Sequence, residues 1–263
     1  MSISRQEWSY SRTYCFEHCK YEYYLGYVIH DDDLYLSEGN FYAEAGSFAH
    51  EILAKIFLGE LKPENALDYY LDHFEENVSY KTFKTTMKNT YEAIAEYFAT
   101  LDLSWLDFYE IVGVEQKLHF EVCGHPFVGI IDLLLRDKRD GKLVVLDHKS
   151  MEYPFKVKGG VKKNCEKSFN AYRRQMYLYC KAIHDTYGEF PKEITWNYFK
   201  DGGKLGTIPF QESEYMDAIG WFQSMAEKIP QEQDYEATQD YFYCSQLCNF
   251  RNSCEYRKMG GGA

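Results

Sequence analysis

Apolar residues in this chain recur first at helical and then at strand spacing. Helical periodicity runs through 46–58, 63–78 and 83–101, and Pro63 suits a first helical turn because it has no N–H to leave unpaired. The period then changes. Val112, Val114, Leu118, Phe120 and Val122 alternate with Glu115, Lys117, His119 and Glu121, which predicts a half-buried strand. Gly124-His125-Pro126 reads as a turn into a nearly continuous apolar run over 127–135, the pattern of a strand covered on both faces. Lys138-Arg139-Asp140-Gly141 reads as a turn between antiparallel strands and leads to a second apolar run over 143–146. A helix over 168–187, a hairpin of 194–200 and 204–210 through Asp201-Gly202-Gly203, and a last helix over 212–228 follow. The fold class is α/β, with a helical N-terminal part feeding a β-hairpin core.

Length and composition fit one compact domain. The chain has 263 residues, 45% of them hydrophobic, with no internal repeat or low-complexity linker. Residues 1–259 are therefore expected to form a single domain, and Gly260-Gly261-Gly262-Ala263 a tail outside it. The N-terminus carries no basic and apolar leader, and no apolar stretch is long enough to span a bilayer, so a cytoplasmic location without membrane attachment is expected.

The chemistry-bearing residues sit at the ends of the two apolar runs. Asp132 lies inside Gly129-Ile130-Ile131-Asp132-Leu133-Leu134-Leu135, and the second run delivers Asp147-His148-Lys149. Alternate residues of a strand share a face, so Asp147 and Lys149 project together, and a tight turn brings Asp132 onto the neighbouring strand. Paired carboxylates supply hard oxygen ligands for Mg²⁺ or Mn²⁺, and a lysine beside them can orient a water or offset charge on a phosphate. From these residues alone, a solvated acidic pair neutralised by Lys149 remains the other reading.

The chain resembles the PD-(D/E)XK nuclease superfamily, in particular its RecB-like branch, which includes CRISPR-associated, AddB-type and phage exonucleases. The resemblance rests on Asp132 and Asp147-x-Lys149 together with Gly46-Ser47-Phe48-Ala49-His50 upstream, Glu115 on the preceding strand, and Gln175-Met176-Tyr177-Leu178-Tyr179 downstream, and it spans about 9–254. It implies a small mixed sheet flanked by helices. It also implies that His50, Asp132, Asp147 and the main-chain carbonyl of His148 ligate metal, that Lys149 is catalytic, and that Gln175 and Tyr179 line the cleft from one helical face. Glu115 is expected to reach an outer-sphere water. Without the resemblance, His50 would be a core histidine, and Gln175 and Tyr179 ordinary helix surface.

Eight cysteines form the second constellation, at 15, 19, 123, 165, 180, 244, 248 and 254. In a reducing compartment, clusters at the two chain ends read as metal ligands rather than disulfides. The resemblance implies a 4Fe-4S cluster held by one early cysteine and three late ones, here Cys19 with Cys244, Cys248 and Cys254, which would join the chain ends. A structural zinc on Cys15, Cys19, Cys244 and Cys248 is the alternative. Cys123, Cys165 and Cys180 are expected to be small buried apolar residues.

Charge adds one complication. The formal net charge is −12, whereas a protein that holds DNA mainly through phosphates should be basic. Locally the sign reverses. Between Lys149 and Arg174 there are eight basic residues against two acids, Glu152 and Glu166, so this Gly159-Gly160 segment is expected to form either a basic flap over the cleft or a solvated lysine loop. Aromatic content is 18%, with 25 tyrosines, and Tyr21, Tyr23, Tyr24 and Tyr27 are candidates for base stacking, although most tyrosines should pack in the core. The expected function is a metal-dependent DNA nuclease acting on ends or single strands, with DNA and a helicase, integrase or recombination protein as partners. A non-catalytic DNA-binding or assembly subunit, or an RNA nuclease, are the competing classes.

Overall fold

The computed structural model describes residues 7–29, 40–80 and 82–258, so the expected tail at 260–263 lies outside the described residues. Helix α1 spans Tyr10–His18 and is capped by Ser9, whose hydroxyl accepts from the Arg12 N–H at 3.2 Å. A short α2, Lys20–Tyr23, runs directly into a π-helical turn, Tyr24–Val28. Neither was visible as a periodic pattern, because α1 carries aromatic and polar residues on every side.

Helix α3, Phe41–Phe57, begins earlier than the periodicity indicated because Asn40 caps it, its Oδ1 accepting from the N–H groups of Tyr42 at 3.2 Å and Ala43 at 3.3 Å. A 3-10 turn, Pro63–Asn65, leads into α4, Ala66–Asn77, and α5 covers Thr85–Ala99. These three helices enclose a core of their own in which Ile52, Leu53, Tyr70 and Ile94 are completely buried.

Five strands make one sheet in the order β1-β2-β3-β4-β5. They are β1 Tyr109–Val122, β2 His125–Asp137, β3 Leu143–Lys149, β4 Glu193–Tyr198 and β5 Lys204–Pro209. Only β3 and β4 run parallel. The crossover that a parallel pair requires is helix α6, Glu166–Tyr187, and α7, Glu212–Lys228, packs against it. One face of the sheet presents Phe127, Ile131, Val145 and Trp196 to α6 and α7. The other buries Leu133, Leu135, Val144 and Leu146 beneath Phe57 and Trp105. The mixed sheet flanked by helices is thus as expected.

Two expectations change at the first hairpin. The two turn residues are Cys123 and Gly124, with φ of 51° and 78°, and Val122 already pairs with His125. His125 and Pro126 therefore belong to β2 rather than to the turn, and Cys123 is exposed at the hairpin tip rather than buried. Cys165 and Cys180 are buried as expected. The basic segment after β3 is a small hairpin closed by a bridge between Phe155 and Val161, with Phe155 packed edge-on against Phe169 of α6 at 5.0 Å. Its lysine-bearing tip exposes Val157 fully. Among the described residues no helix is long and apolar enough to cross a membrane.

Candidate active site

Strand register assembles the acidic residues. Leu133 pairs with Leu146, which sets Asp132 opposite Asp147. On the other side of β2, Val114 pairs with Leu133 and Gln116 with Ile131, which sets Glu115 opposite Asp132. Three adjacent strands thus deliver three carboxylates at one level. The register of β1 slips between Ile111 and Gly113, and Glu115 itself has φ of +45°, a left-handed conformation that a side-chain-bearing residue seldom adopts within a strand. Such local strain costs roughly 1–3 kcal/mol and persists where the surroundings fix it.

Helix α3 contributes His50, one turn beyond Gly46. A Cβ on Gly46 would stand 3.3 Å from Ser150 Oγ, so the glycine lets the helix come down onto the end of β3. His50 Nδ1 lies 3.3 Å from Asp132 Oδ2, and the same oxygen accepts the main-chain N–H of His148 at 2.7 Å. One ligand atom each from His50, Glu115 and Asp132 lie within 4.8 Å of one another. Glu115 therefore stands among the potential first ligands, closer in than the outer-sphere position expected for it. Asp147 is buried beside this group, with its Oδ2 in an ion pair with Lys149 Nζ at 2.6 Å.

From α6, Gln175 Oε1 accepts from Lys149 Nζ at 3.4 Å, and Gln175 Nε2 donates to the Tyr179 hydroxyl at 3.2 Å. The Tyr179 ring occupies the space above Gly129, where a Cβ would approach its Cε1 to 2.6 Å. Every site residue named from the sequence in the nuclease core therefore falls in one neighbourhood. Two neighbours were missed. The ring of Tyr172, three residues before Gln175 on α6, lies 4.7 Å from Lys149 Nζ, and helical spacing from Gln175 was a usable signal for it. Asn197 of β4 pairs with His148 in the parallel ladder, donating to its Nδ1 at 3.0 Å and to the Tyr97 hydroxyl at 2.9 Å. Nothing in the sequence announces that pairing.

Burial and mutual repulsion set the protonation states. Burial, with Asp132 and Asp147 adding their charges, pushes the Glu115 carboxyl up to about 7. Burial likewise raises Asp147 to about 6, against the pull of Lys149, and raises Asp132. For His50, burial and then Lys149 lower the imidazole to about 4, which keeps it neutral as a ligand must be. His148 is held well below the usual histidine range by burial first and then by its neighbours His50 and Lys149, consistent with Nδ1 accepting from Asn197. Burial would lower Lys149, but Asp147 and Asp132 outweigh it and keep the ammonium charged. Acids that hold protons beside a fixed cation are primed to exchange them for a divalent ion. Two carboxylates and one imidazole within reach of a common point fit Mg²⁺ or Mn²⁺, which bind such ligands at about 2.1 Å. The cleft above these residues, about 590 Å³, is open to solvent between α3 and Tyr172.

The sequence profile of the PD-(D/E)XK nuclease superfamily matches residues 7–255. The chain belongs to that superfamily. The crystal structure of a protein from Eubacterium rectale called "Putative exonuclease" superposes with a TM-score of 0.53 at 12% identity, covering 98% of this chain and 90% of that one. At that identity the likeness speaks for the fold. The crystal structure of SSO0001 is a weaker match, with a TM-score of 0.35 at 14% identity over 80% of this chain and 96% of that chain. No curated protein matches the sequence.

At the far end of this PD-(D/E)XK chain, Cys19, Cys244, Cys248 and Cys254 line a single cavity of about 320 Å³, with Leu25 and Phe250 among its apolar walls. Cys15 lies instead on the wall of a neighbouring cavity. Cys19 Sγ accepts from the N–H groups of Glu22 at 3.4 Å and Thr238 at 3.5 Å, and Cys248 Sγ from Phe250 at 3.4 Å. Such donors favour the thiolate, but burial outweighs them and raises both thiols. Among the described residues no three cysteine sulfurs lie within 4.8 Å of one another.

Proposed function

We propose that this chain is a Mg²⁺- or Mn²⁺-dependent deoxyribonuclease of the RecB-like, iron-sulfur type, an exonuclease acting on DNA ends or single strands. The observation that carries the reading is the convergence of His50, Glu115 and Asp132 beside the Asp147–Lys149 ion pair. In this reading His50, Asp132, Asp147, Glu115 and the His148 carbonyl hold the ion. A divalent ion bound there supplies positive charge against the scissile phosphate and acidifies a water. Lys149, steadied by Asp147 and Gln175, orients the attacking water and offsets charge as the phosphate becomes pentacovalent. Tyr179 fixes Gln175 from behind, and Asn197 fixes the His148 ring.

A 4Fe-4S cluster on Cys19, Cys244, Cys248 and Cys254 is part of the proposal, supported by the cavity that the four cysteines share. Its role is structural, since hydrolysis moves no electrons. Residues 1–259 act as one nuclease domain in the cytoplasm, in recombination, repair or CRISPR-type DNA processing, alongside a helicase, integrase or recombination partner. Incubating the purified protein with end-labelled single-stranded DNA, duplex DNA and RNA, with Mn²⁺ or with chelator, tests the reading. Mn²⁺-dependent loss of label from DNA is the expected result, and binding without cleavage would favour a non-catalytic assembly subunit.

A further inference from the structure

The cleft at His50 has a neighbour across Lys149. Lys149 and Tyr172 also form part of the wall of a second cavity, about 690 Å³, between α1, α6 and the segment around 240–250. By comparison with pockets that hold drug-sized ligands, this is room for roughly two nucleotides. One wall is a run of packed rings. Tyr14 stacks on Tyr10 at 5.7 Å and on His18 at 5.8 Å, and His18 meets Tyr243 at 4.1 Å. These rings brace one another, Tyr27 packs against Tyr23 and Phe250 is buried, which leaves Tyr172 and Phe242 to offer faces to the cavity. Among the described residues neither of those packs against another aromatic ring, and Phe242 is 59% exposed.

Charge within the cavity is distributed to match. Lys167 lines it and pairs with no acid among the described residues. Two acids line it as well, but both are engaged: Glu22 accepts from the Tyr243 hydroxyl and the Asn249 N–H, and Asp240 accepts from the Tyr243 N–H at 3.0 Å. The cavity thus combines the exposed ring of Phe242, the Tyr172 ring beside Lys149, the Lys167 ammonium and a wall shared with the carboxylate site. With a net charge of −12, long-range attraction of phosphates is weak, which shifts the weight of binding onto stacking. Paired bases in a duplex already stack on each other and have no face to give. Unpaired bases do.

We propose that this trough binds the single-stranded DNA next to the scissile phosphate, with bases against Tyr172 and Phe242 and a phosphate on Lys167. The inference rests on the nuclease reading above and extends it to a strand path. Its test separates the two. Binding of a short fluorescent oligothymidylate and of a blunt duplex of the same length is measured by anisotropy in Ca²⁺, and hydrolysis of bis(p-nitrophenyl) phosphate in Mn²⁺. That small diester reaches only the His50 cleft. Phe242→Ala should weaken oligothymidylate binding about tenfold, the value of one lost stack, while Phe242→Trp retains it. Lys167→Ala should lower the salt dependence by about one phosphate contact, a slope change of roughly 0.7. Duplex binding and diester hydrolysis should not change in either variant. Wild-type affinity in Phe242→Ala, or an equal loss for the duplex, overturns the proposal. A wild-type protein that binds the oligothymidylate with the expected Phe242 dependence but hydrolyses nothing removes the nuclease reading and leaves the trough in place.

Discussion

Metal binding at the carboxylate site should be steeply pH-dependent, with the steepness residing in Glu115. Its carboxyl is raised to about 7 and that of Asp147 to about 6, and each must lose its proton to act as a ligand. At pH 5 Glu115 would be ionised in about one molecule in a hundred and Asp147 in about one in ten, against nearly complete ionisation of both at pH 8. The apparent Mn²⁺ affinity should therefore fall by up to about 1000-fold from pH 8 to pH 5, and by less in so far as solvent screens Glu115, which is exposed. His50, lowered to about 4, adds nothing within that window. Glu115→Gln should bind more weakly at pH 8 but retain only the roughly tenfold dependence due to Asp147. The sign for the metal-free fold is opposite. Both acids have native values above their unfolded ones, so their contribution to stability is fully present below about pH 4 and is lost as pH rises through 6 to 7. Titration calorimetry with Mn²⁺ across this range, with thermal melts of the metal-free protein, checks both. A flat affinity profile, or a Glu115→Gln profile as steep as the wild type, would refute the assignment of Glu115 as a ligand.

Three further outcomes are expected. Asp132→Ala should abolish Mn²⁺-dependent cleavage with little change in circular dichroism, and Lys149→Ala should lower turnover about 100-fold or more while still binding Mn²⁺; full activity in either would remove the active-site assignment. Replacing Lys158, Lys162 and Lys163 together by Ala should weaken DNA binding and reduce its salt slope by up to about 2, whereas an unchanged slope would make the hairpin after β3 a solvated loop. Protein purified without oxygen should be brown and contain iron and sulfide, with the colour lost in Cys19→Ala and Cys248→Ala but kept in Cys15→Ala. Stoichiometric zinc in a colourless wild type would overturn the cluster without touching the nuclease site.

The sequence made the strands around the site legible because their side chains are sorted by burial. The run containing Asp132 and the run ending at Asp147 are apolar on both faces, and a turn of fixed length joins them, so their pairing followed from pattern alone. Glu115 was legible as a strand residue but not as a close neighbour of His50 and Asp132. Its position depends on a register slip and a positive φ that no residue type announces. The partnership of His148 with Asn197 was hidden for a related reason: it depends on a parallel pairing across the whole of α6. At the N-terminus, α1 buries Tyr10, Arg12, Thr13 and Phe16, a mixture that gives no apolar stripe. Cys123 shows the limit of composition. Cysteine is usually buried, yet here the backbone of a two-residue turn decides its exposure.

Asn40 has two hydrogen-bonding ends, and they answer to different parts of the molecule. Its oxygen starts the helix that carries His50, while its amide nitrogen donates to the carbonyl of Leu247 at 2.9 Å, immediately before Cys248. Any displacement of that carbonyl would be felt at the first turn of α3. The helix that brings histidine to the carboxylates is thus moored at its start to the cysteine segment, like a beam hung from a bracket.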